Sequence, residues 1–380
     1  MKNLKLYGDQ LIIGKGSLKY LEKIEENRIF IVTGGKSAFE NGSIDKLKKY
    51  FDMHYKTYKI YSGIKKNPDT NSVLNAISDM EKFKPDLILA IGGGSAIDAA
   101  KVMTLFYDYK DLTFDNILLN DISNYRRKTK FIAVPSTSGT GTEVTKAAVI
   151  TFKEKNIKIG LKSMAFIPDI AILDANLTLS MPANIVAETG MDALTHALEA
   201  YTNHNLDDFT EVIAKGAIEG LLKYLEVSYK GESFEAREKV HYYQSMAGMA
   251  FHNVGLGMAH GISHAFGGKY NYGHGLLNAI CLPYVLNYNK KNDIVNEKLK
   301  YLSDFLRTDD IVDEVFQLND ALNIPKSFLE LGLSENQFYN DLDDLVVNCL
   351  KGSTVSNPID MNATEMKKIL IQIFNGYKKK

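Results

Sequence analysis

The sequence predicts an α/β domain built on a parallel sheet followed by an all-α domain, and three observations carry this. Short apolar runs alternate with helical patterns through the first half, which is how a parallel sheet covered by helices reads. After Met181-Pro182 the β-branched runs stop, and Ala, Leu, Glu and Lys-rich stretches of helical periodicity continue to Lys380. The length, 380 residues, exceeds what one hydrophobic core usually organises. The boundary falls between 179 and 182, giving domains 1–180 and 181–380. No repeat, low-complexity block or flexible linker separates them, so tight packing is expected, with a cleft between them as the default ligand site.

In the first domain the expected strands are 29–33, 58–61, 87–91 and 131–134. Between the second and third lies a helix, Thr70–Phe83, in which Val73, Ala76, Ile77 and Met80 recur at helical spacing. This is a doubly wound, nucleotide-binding style of domain. From 147 to 174 the runs Ala148-Val-Ile-Thr-Phe, Ile157-Lys-Ile-Gly-Leu and Ile170-Ala-Ile-Leu read as a hairpin and a last strand.

Composition narrows the class of function. Lys and Arg number 45 against 46 Asp and Glu, so charge gives no reason to expect nucleic acid or an anionic membrane as partner. A small molecule is the expected partner. The two cysteines, Cys281 and Cys349, are far apart and suggest neither a disulfide framework nor a cysteine metal site. The N-terminus, Met1-Lys-Asn-Leu-Lys-Leu-Tyr-Gly, has no apolar core of signal-peptide length, and no stretch reaches the roughly 18 apolar residues of a membrane span. A cytoplasmic location is expected.

Pro85-Asp-Leu-Ile-Leu-Ala-Ile91 reads as a buried strand, Gly92-Gly-Gly-Ser95 follows at once, and Ala96-Ile-Asp-Ala-Ala-Lys101 opens a helix. Glycines let backbone N–H groups approach an anion without Cβ obstruction, and the positive end of the helix dipole favours a phosphate there. A diphosphate suits such a site; a tight turn that binds nothing accounts for the glycine run equally well. The run is not the G-x-G-x-x-G fingerprint. A second loop, Pro135-Ser-Thr-Ser-Gly-Thr-Gly-Thr-Glu-Val-Thr145, leaves the strand 131–134, at the end of the sheet where open α/β folds bind ligands. Alone it reads as a solvated turn with N-capping hydroxyls. The two loops together favour a nucleotide.

The helical half concentrates histidines. In Gly190-Met-Asp192-Ala-Leu-Thr-His196 an aspartate and a histidine are four apart, and in Gly257-Met-Ala-His260-Gly-Ile-Ser-His264 two histidines are four apart, with His274 following in Tyr272-Gly-His274-Gly. Residues four apart share a helix face. An i,i+4 pair of oxygen and nitrogen ligands can chelate one divalent ion, and two further imidazoles complete a four-ligand set suited to Fe²⁺ or Zn²⁺. Any one of these histidines taken singly reads as hydrogen-bonded core; four of them with an aspartate, in glycine-punctuated apolar segments, point to a metal. His54, His204 and His241 lie in polar surroundings and are expected at the surface, and His252 is left open.

These motifs resemble the iron-containing (group III) alcohol dehydrogenases. The matching segments are Gly92 to Lys101, Pro135 to Thr145, Thr189-Gly-Met-Asp-Ala-Leu-Thr-His-Ala-Leu-Glu-Ala-Tyr201 and His260 to Gly275, with Asn357-Pro358 near the end. They occur in the family's order and span nearly the whole chain. The resemblance implies a Rossmann-like N-terminal domain, an all-helical C-terminal domain and an NAD(P)-dependent alcohol dehydrogenase that could form homo-oligomers. It implies Asp192, His196, His260 and His274 as ligands of Fe²⁺, with Zn²⁺ the alternative, and a catalytic His264 beside nicotinamide and substrate but off the metal. It places Gly93, Gly94 and Ser95 on the diphosphate with Asp98 in the same cofactor segment, Thr137, Thr140 and Lys158 against the cofactor, and Asn67 along the groove.

One departure bears on the cofactor. The strand ending Ile31-Val-Thr33 runs into Gly34-Gly35-Lys36, where many members carry an aspartate, and NADPH is the expected preference. The expected reaction is hydride transfer between an alcohol or aldehyde and NAD(P), with the metal as Lewis acid. The rivals are a polyol or glycerol dehydrogenase or an elimination enzyme such as dehydroquinate synthase on the same fold, a metal-dependent hydrolase, and a protein that holds a nucleotide without turnover.

Overall fold

A parallel strand covered on both faces needs apolar residues without alternation, and Leu87–Gly92 is buried at every position. In the computed structural model, which describes residues 2–153 and 157–376, it lies inside a six-stranded sheet. The strands are β1 (Gln10–Ile13), β2 (Arg28–Thr33), β3 (Thr57–Tyr61), β4 (Leu87–Gly92), β5 (Lys130–Pro135) and, after a hairpin of β6 (Ala147–Phe152) and β7 (Ile157–Lys162), β8 (Ile170–Leu173). Their order is β1-β8-β5-β4-β2-β3, every pairing parallel, and the hairpin is antiparallel. The fold class expected from sequence is the one found. The strand not anticipated is β1, whose Gln-Leu-Ile-Ile is too short to show a period and whose partner β8 is remote in sequence.

The helices of this unit are a single turn α1 (Ser37–Glu40), α2 (Ser43–Met53), α3 (Thr70–Phe83) and α4 (Gly94–Asp108). Alternate strand residues face opposite layers. Phe30, Val32, Ile88 and Ala90 pack with Val73, Ala76 and Met80 of α3 and Ala99 and Met103 of α4. Ile29, Ile31, Leu87 and Leu89 pack with Ile44, Leu47 and Phe51 of α2. A capping box starts α3: Ser72 N donates to Asp69 Oδ1 (2.8 Å) and Asp69 N to Ser72 Oγ (3.2 Å). From β2 the chain steps to β3 on one side and then to β4 on the other, so the strand order reverses between β2 and β4, the place where doubly wound sheets take ligands.

The chain divides into two compact units, Met1–Met181 and Pro182–Lys380. The second contains α5 (Ala183–Thr202), α6 (Asp208–Lys230), α7 (Phe234–Val254), α8 (Met258–Tyr270), α9 (His274–Asn289), α10 (Asp293–Leu306), α11 (Ile311–Ala321), α12 (Glu335–Cys349) and α13 (Ala363–Asn375). Among the described residues none of these helices is long and apolar enough to cross a membrane. Close approaches rest on glycine: a methyl at Gly220 of α6 would sit 2.2 Å from the Tyr243 ring of α7. His54 and His204 are exposed, but the surface expectation for His241 is corrected, because it is fully buried. It shares the inner face of α7 with Arg237, Gln244 and Ser245, while its charged sequence neighbours Glu238 and Lys239 fall off that face.

Candidate functional site

In the first unit, three chain segments meet at the carboxyl ends of β2, β4 and β5. Gly93 caps α4 with extended backbone and no side-chain bond, which leaves the first N–H groups of the helix open to an anion. A methyl at Gly94 would lie 2.8 Å from Thr140 Cγ2, and one at Gly93 would lie 3.4 Å from Thr137 Cγ2, so the two loops are packed on each other. Ser136 N donates to Gly92 O at 2.8 Å and fastens the second loop to the end of β4. Asn67, in the left-handed region at φ 58°, donates its N–H to Ser95 Oγ (3.3 Å). Gly34 lies beside the same turn, its nitrogen 3.6 Å from where a Gly92 Cβ would stand.

The hairpin joins this group. Thr151 N donates to Pro68 O (2.8 Å), and Thr151 stands opposite Lys158 in the β6–β7 register. Desolvation, and then the charge of Lys66, lower the Lys158 pKa. Asp98 is placed differently: its carboxylate accepts from Thr142 Oγ1 (2.5 Å) and Val149 N (3.0 Å), so both of its oxygens are engaged within the unit.

In the second unit, Asp192 on α5, His260 on α8 and His274 at the start of α9 offer one ligand atom each, all within 4.8 Å of one another. Asp192 Oδ1 is 3.8 Å from His260 Nε2 and 3.7 Å from His274 Nε2. Local sequence brings them together: a methyl at Gly275 would strike Glu188 O at 2.2 Å, so the first turn of α9 can lie directly on α5.

The surrounding bonds settle which nitrogens carry lone pairs. His260 Nδ1 is 2.7 Å from Glu199 Oε2, and a carboxylate accepts there, so the proton sits on Nδ1 and Nε2 is free to coordinate. His274 Nδ1 is 2.7 Å from Ser263 Oγ, whose hydroxyl donates to His274 O at 3.0 Å, leaving the serine oxygen to accept from Nδ1. Both Nε2 atoms therefore face Asp192 as acceptors. Burial, reinforced by His196 and His274, drives the His260 pKa well below the ordinary value, which keeps the ring neutral. For Asp192 burial acts upward, but His196, His274, His260 and the Asn278 bond outweigh it and lower the pKa.

The Asn278 amide nitrogen approaches all three acceptors, at 2.7 Å from Asp192 Oδ1, 3.1 Å from His260 Nε2 and 3.2 Å from His274 Nε2. An amide has two protons for these three lone-pair atoms. A divalent cation satisfies such a set fully, and a carboxylate with imidazoles suits iron or zinc.

His196 stands at the edge of this group: its ring stacks on Phe251 (centroids 4.3 Å apart) and on His260 (4.6 Å), and it is not among the three converging ligands. His264 is exposed and stacks on His274 at 4.9 Å, with planes 10° apart. His252 is buried on α7. Sequence reasoning passed over Glu199, Ser263 and Asn278. Glu199 also accepts from Gly257 N (2.7 Å) and Ala259 N (2.6 Å) at the start of α8, and burial raises its pKa to about 7 against those bonds. Its spacing was the available signal, since Asp192, His196 and Glu199 lie at i, i+4 and i+7 on one helix face.

Comparison with known proteins identifies the family of the chain. The model of iron-containing alcohol dehydrogenases matches residues 9–175, and that of the C-terminal part of Fe-containing alcohol dehydrogenases matches residues 186–374. An NADPH-dependent butanol dehydrogenase of Clostridium saccharobutylicum is 39% identical over 96% of this chain and 96% of its own length. An alcohol dehydrogenase of Thermococcus barophilus is 32% identical over 96% and 97%. The solved structure of an iron-containing alcohol dehydrogenase from Thermococcus thioreducens superposes with a TM-score of 0.92 at 31% identity, covering 99% of this chain and all of that one. With both parts matched in order, the chain belongs to the iron-containing alcohol dehydrogenase family.

Proposed function

We propose that this alcohol dehydrogenase interconverts a small aliphatic alcohol and its aldehyde with NADP as the favoured hydride carrier, using iron held by Asp192, His196, His260 and His274. The observation that carries the reading is the convergence of Asp192 Oδ1 with two imidazole Nε2 atoms whose other nitrogens are engaged by Glu199 and Ser263. His196 completes the set from its place against the His260 ring. When bound, the metal supplies a Lewis acid that makes an alcohol proton easier to remove, and the nicotinamide supplies the hydride chemistry.

The chain's own residues orient and exchange protons. Gly93, Gly94 and Ser95 hold the diphosphate at the α4 N-terminus, with Thr137, Thr140, Lys158 and Asn67 against the rest of the cofactor. His264, open to solvent beside His274, passes the alcohol proton outward. At Gly34 no carboxylate stands to repel a 2′-phosphate, which agrees with the cofactor named for the Clostridium saccharobutylicum relative. A cytoplasmic location belongs to the same reading. The family match does not favour the polyol dehydrogenase or hydrolase readings.

The test is to strip the protein of metal, reload it anaerobically with ferrous iron, and follow NADPH consumption with a panel of short aldehydes. Turnover should appear with iron and vanish in His260→Ala together with tight metal binding. Full activity in stripped protein would remove the metal assignment.

A further inference from the structure

Lys101 is fully buried on α4, the helix that begins at the diphosphate turn, and the reaction above does not use it. Its ammonium has three protons, and three short bonds take them: Thr142 Oγ1 at 2.6 Å, Ala147 O at 2.7 Å and Thr145 O at 3.0 Å. Thr145 Oγ1 stands further off at 3.3 Å. All the acceptors belong to the second loop or to the first residue of the hairpin strand β6. One turn earlier on α4, Asp98 accepts from the same Thr142 hydroxyl at 2.5 Å and from Val149 N of β6 at 3.0 Å. Asp98 and Lys101 are 4.0 Å apart, too far for a direct bond, so Thr142 is the link: it accepts from the lysine and donates to the aspartate.

An ammonium taken fully out of water is costly unless every proton is bonded and an opposite charge is near. Here the cost maintains a definite geometry. The Asp98-Thr142-Lys101 link ties α4 to the loop that carries Thr137 and Thr140 and to the hairpin that carries Lys158. The three Lys101 protons and both Asp98 oxygens each take part in one of these tying bonds.

We propose that Asp98 and Lys101 are positioning residues for the dinucleotide, holding the second loop and the hairpin in their cofactor-binding places on α4 before the cofactor arrives. This rests on the cofactor reading given above, and it gives Asp98 a part in placing the loops through Thr142 and Val149. Preorganised loops bind without an ordering cost, so loss of the link falls on cofactor affinity and spares the chemical step.

The experiment uses the iron-loaded enzyme and measures the Kd of NADPH by fluorescence titration, with KM and kcat for NADPH and KM for the aldehyde. Lys101→Met keeps the length of the side chain and removes the charge. The NADPH Kd and KM should rise on the order of tenfold, with kcat at saturating cofactor, aldehyde KM and iron content within twofold of wild type. Because a buried lysine can be needed for folding, Thr142→Val is the second variant. It leaves both charges in place, removes the linking hydroxyl and should give the same cofactor-specific rise, which Thr142→Ser should reverse. An unchanged NADPH Kd in Thr142→Val, or a fall in kcat at constant KM, overturns the proposal. A wild type that binds neither NADPH nor NADH overturns the cofactor reading together with it.

Discussion

At the scale of single residues, His260 and His264 show what separates a proposed ligand from its neighbour. They are four apart on α8, yet His260 is 1% exposed and tied to Glu199, while His264 faces solvent over the His274 ring. His264→Ala should therefore lower turnover on the order of 10²-fold, as loss of a proton relay does, with iron content by metal analysis unchanged; loss of the iron would show that His264 belongs among the ligands. Spacing alone could not choose between them, because both positions satisfy the i,i+4 pattern. Ser263 and Asn278 escaped for another reason: neither is a common ligand type, and their importance appears only when helices remote in sequence are brought together, whereas Glu199 had a signal in its i+7 spacing from Asp192 on α5. Gly34 makes the second residue-scale prediction. A Cβ there would meet only Ile64 O at 3.6 Å, so Gly34→Asp should fold normally and place a carboxylate near a 2′-phosphate. Such a pair at about 4 Å repels by on the order of 1 kcal/mol in water and about 4 at intermediate dielectric per unit charge. The kcat/KM ratio of NADPH to NADH should fall at least several-fold; a ratio left unchanged, or a wild type that strongly prefers NADH, would sink the specificity argument.

Elements depend on contacts the sequence shows unevenly. The strands and α3 were legible because continuous apolar runs and a 3.6-residue period state their own burial, and the residues of the glycine turn lie where expected between β4 and α4. β1 was not, since a four-residue strand is defined by its partner. The packing of one loop on another was also not legible. Nothing in the strings Gly-Gly-Gly-Ser and Ser-Gly-Thr-Gly-Thr says that Gly94 faces Thr140. That contact makes an element-scale prediction: Gly94→Ala forces a methyl to 2.8 Å from Thr140 Cγ2, so the second loop must retreat from the α4 N-terminus. Cofactor KM should rise on the order of tenfold or more for NADPH and NADH alike, since a mis-set turn affects the diphosphate that both share. Pairing with Thr140→Ser, which removes the obstructing methyl, should recover part of the loss. An effect confined to one of the two cofactors would mean that this turn does not hold the diphosphate.

For the whole molecule, the proposed ligand set draws on α5, α8 and α9, whose contributing residues run from Asp192 to His274. A cation bound there ties three helices of one unit, and a ligand that binds only the folded state stabilises it by mass action. At free metal about 100-fold above its Kd the gain is about 2.7 kcal/mol. For a unit of about 200 residues, each kcal/mol moves Tm by roughly 2–4 °C. Ferrous iron should then raise the Tm of the transition belonging to the helical unit by about 5–10 °C over chelated protein, measured by calorimetry under nitrogen at one fixed scan rate. His274→Ala should lose most of that gain, because the remaining ligands cannot span all three helices. His264→Ala should keep it, which separates loss of a ligand from loss of a neighbouring ring. The opposite pattern, iron restoring turnover with no shift in Tm, would place the working metal away from these helices.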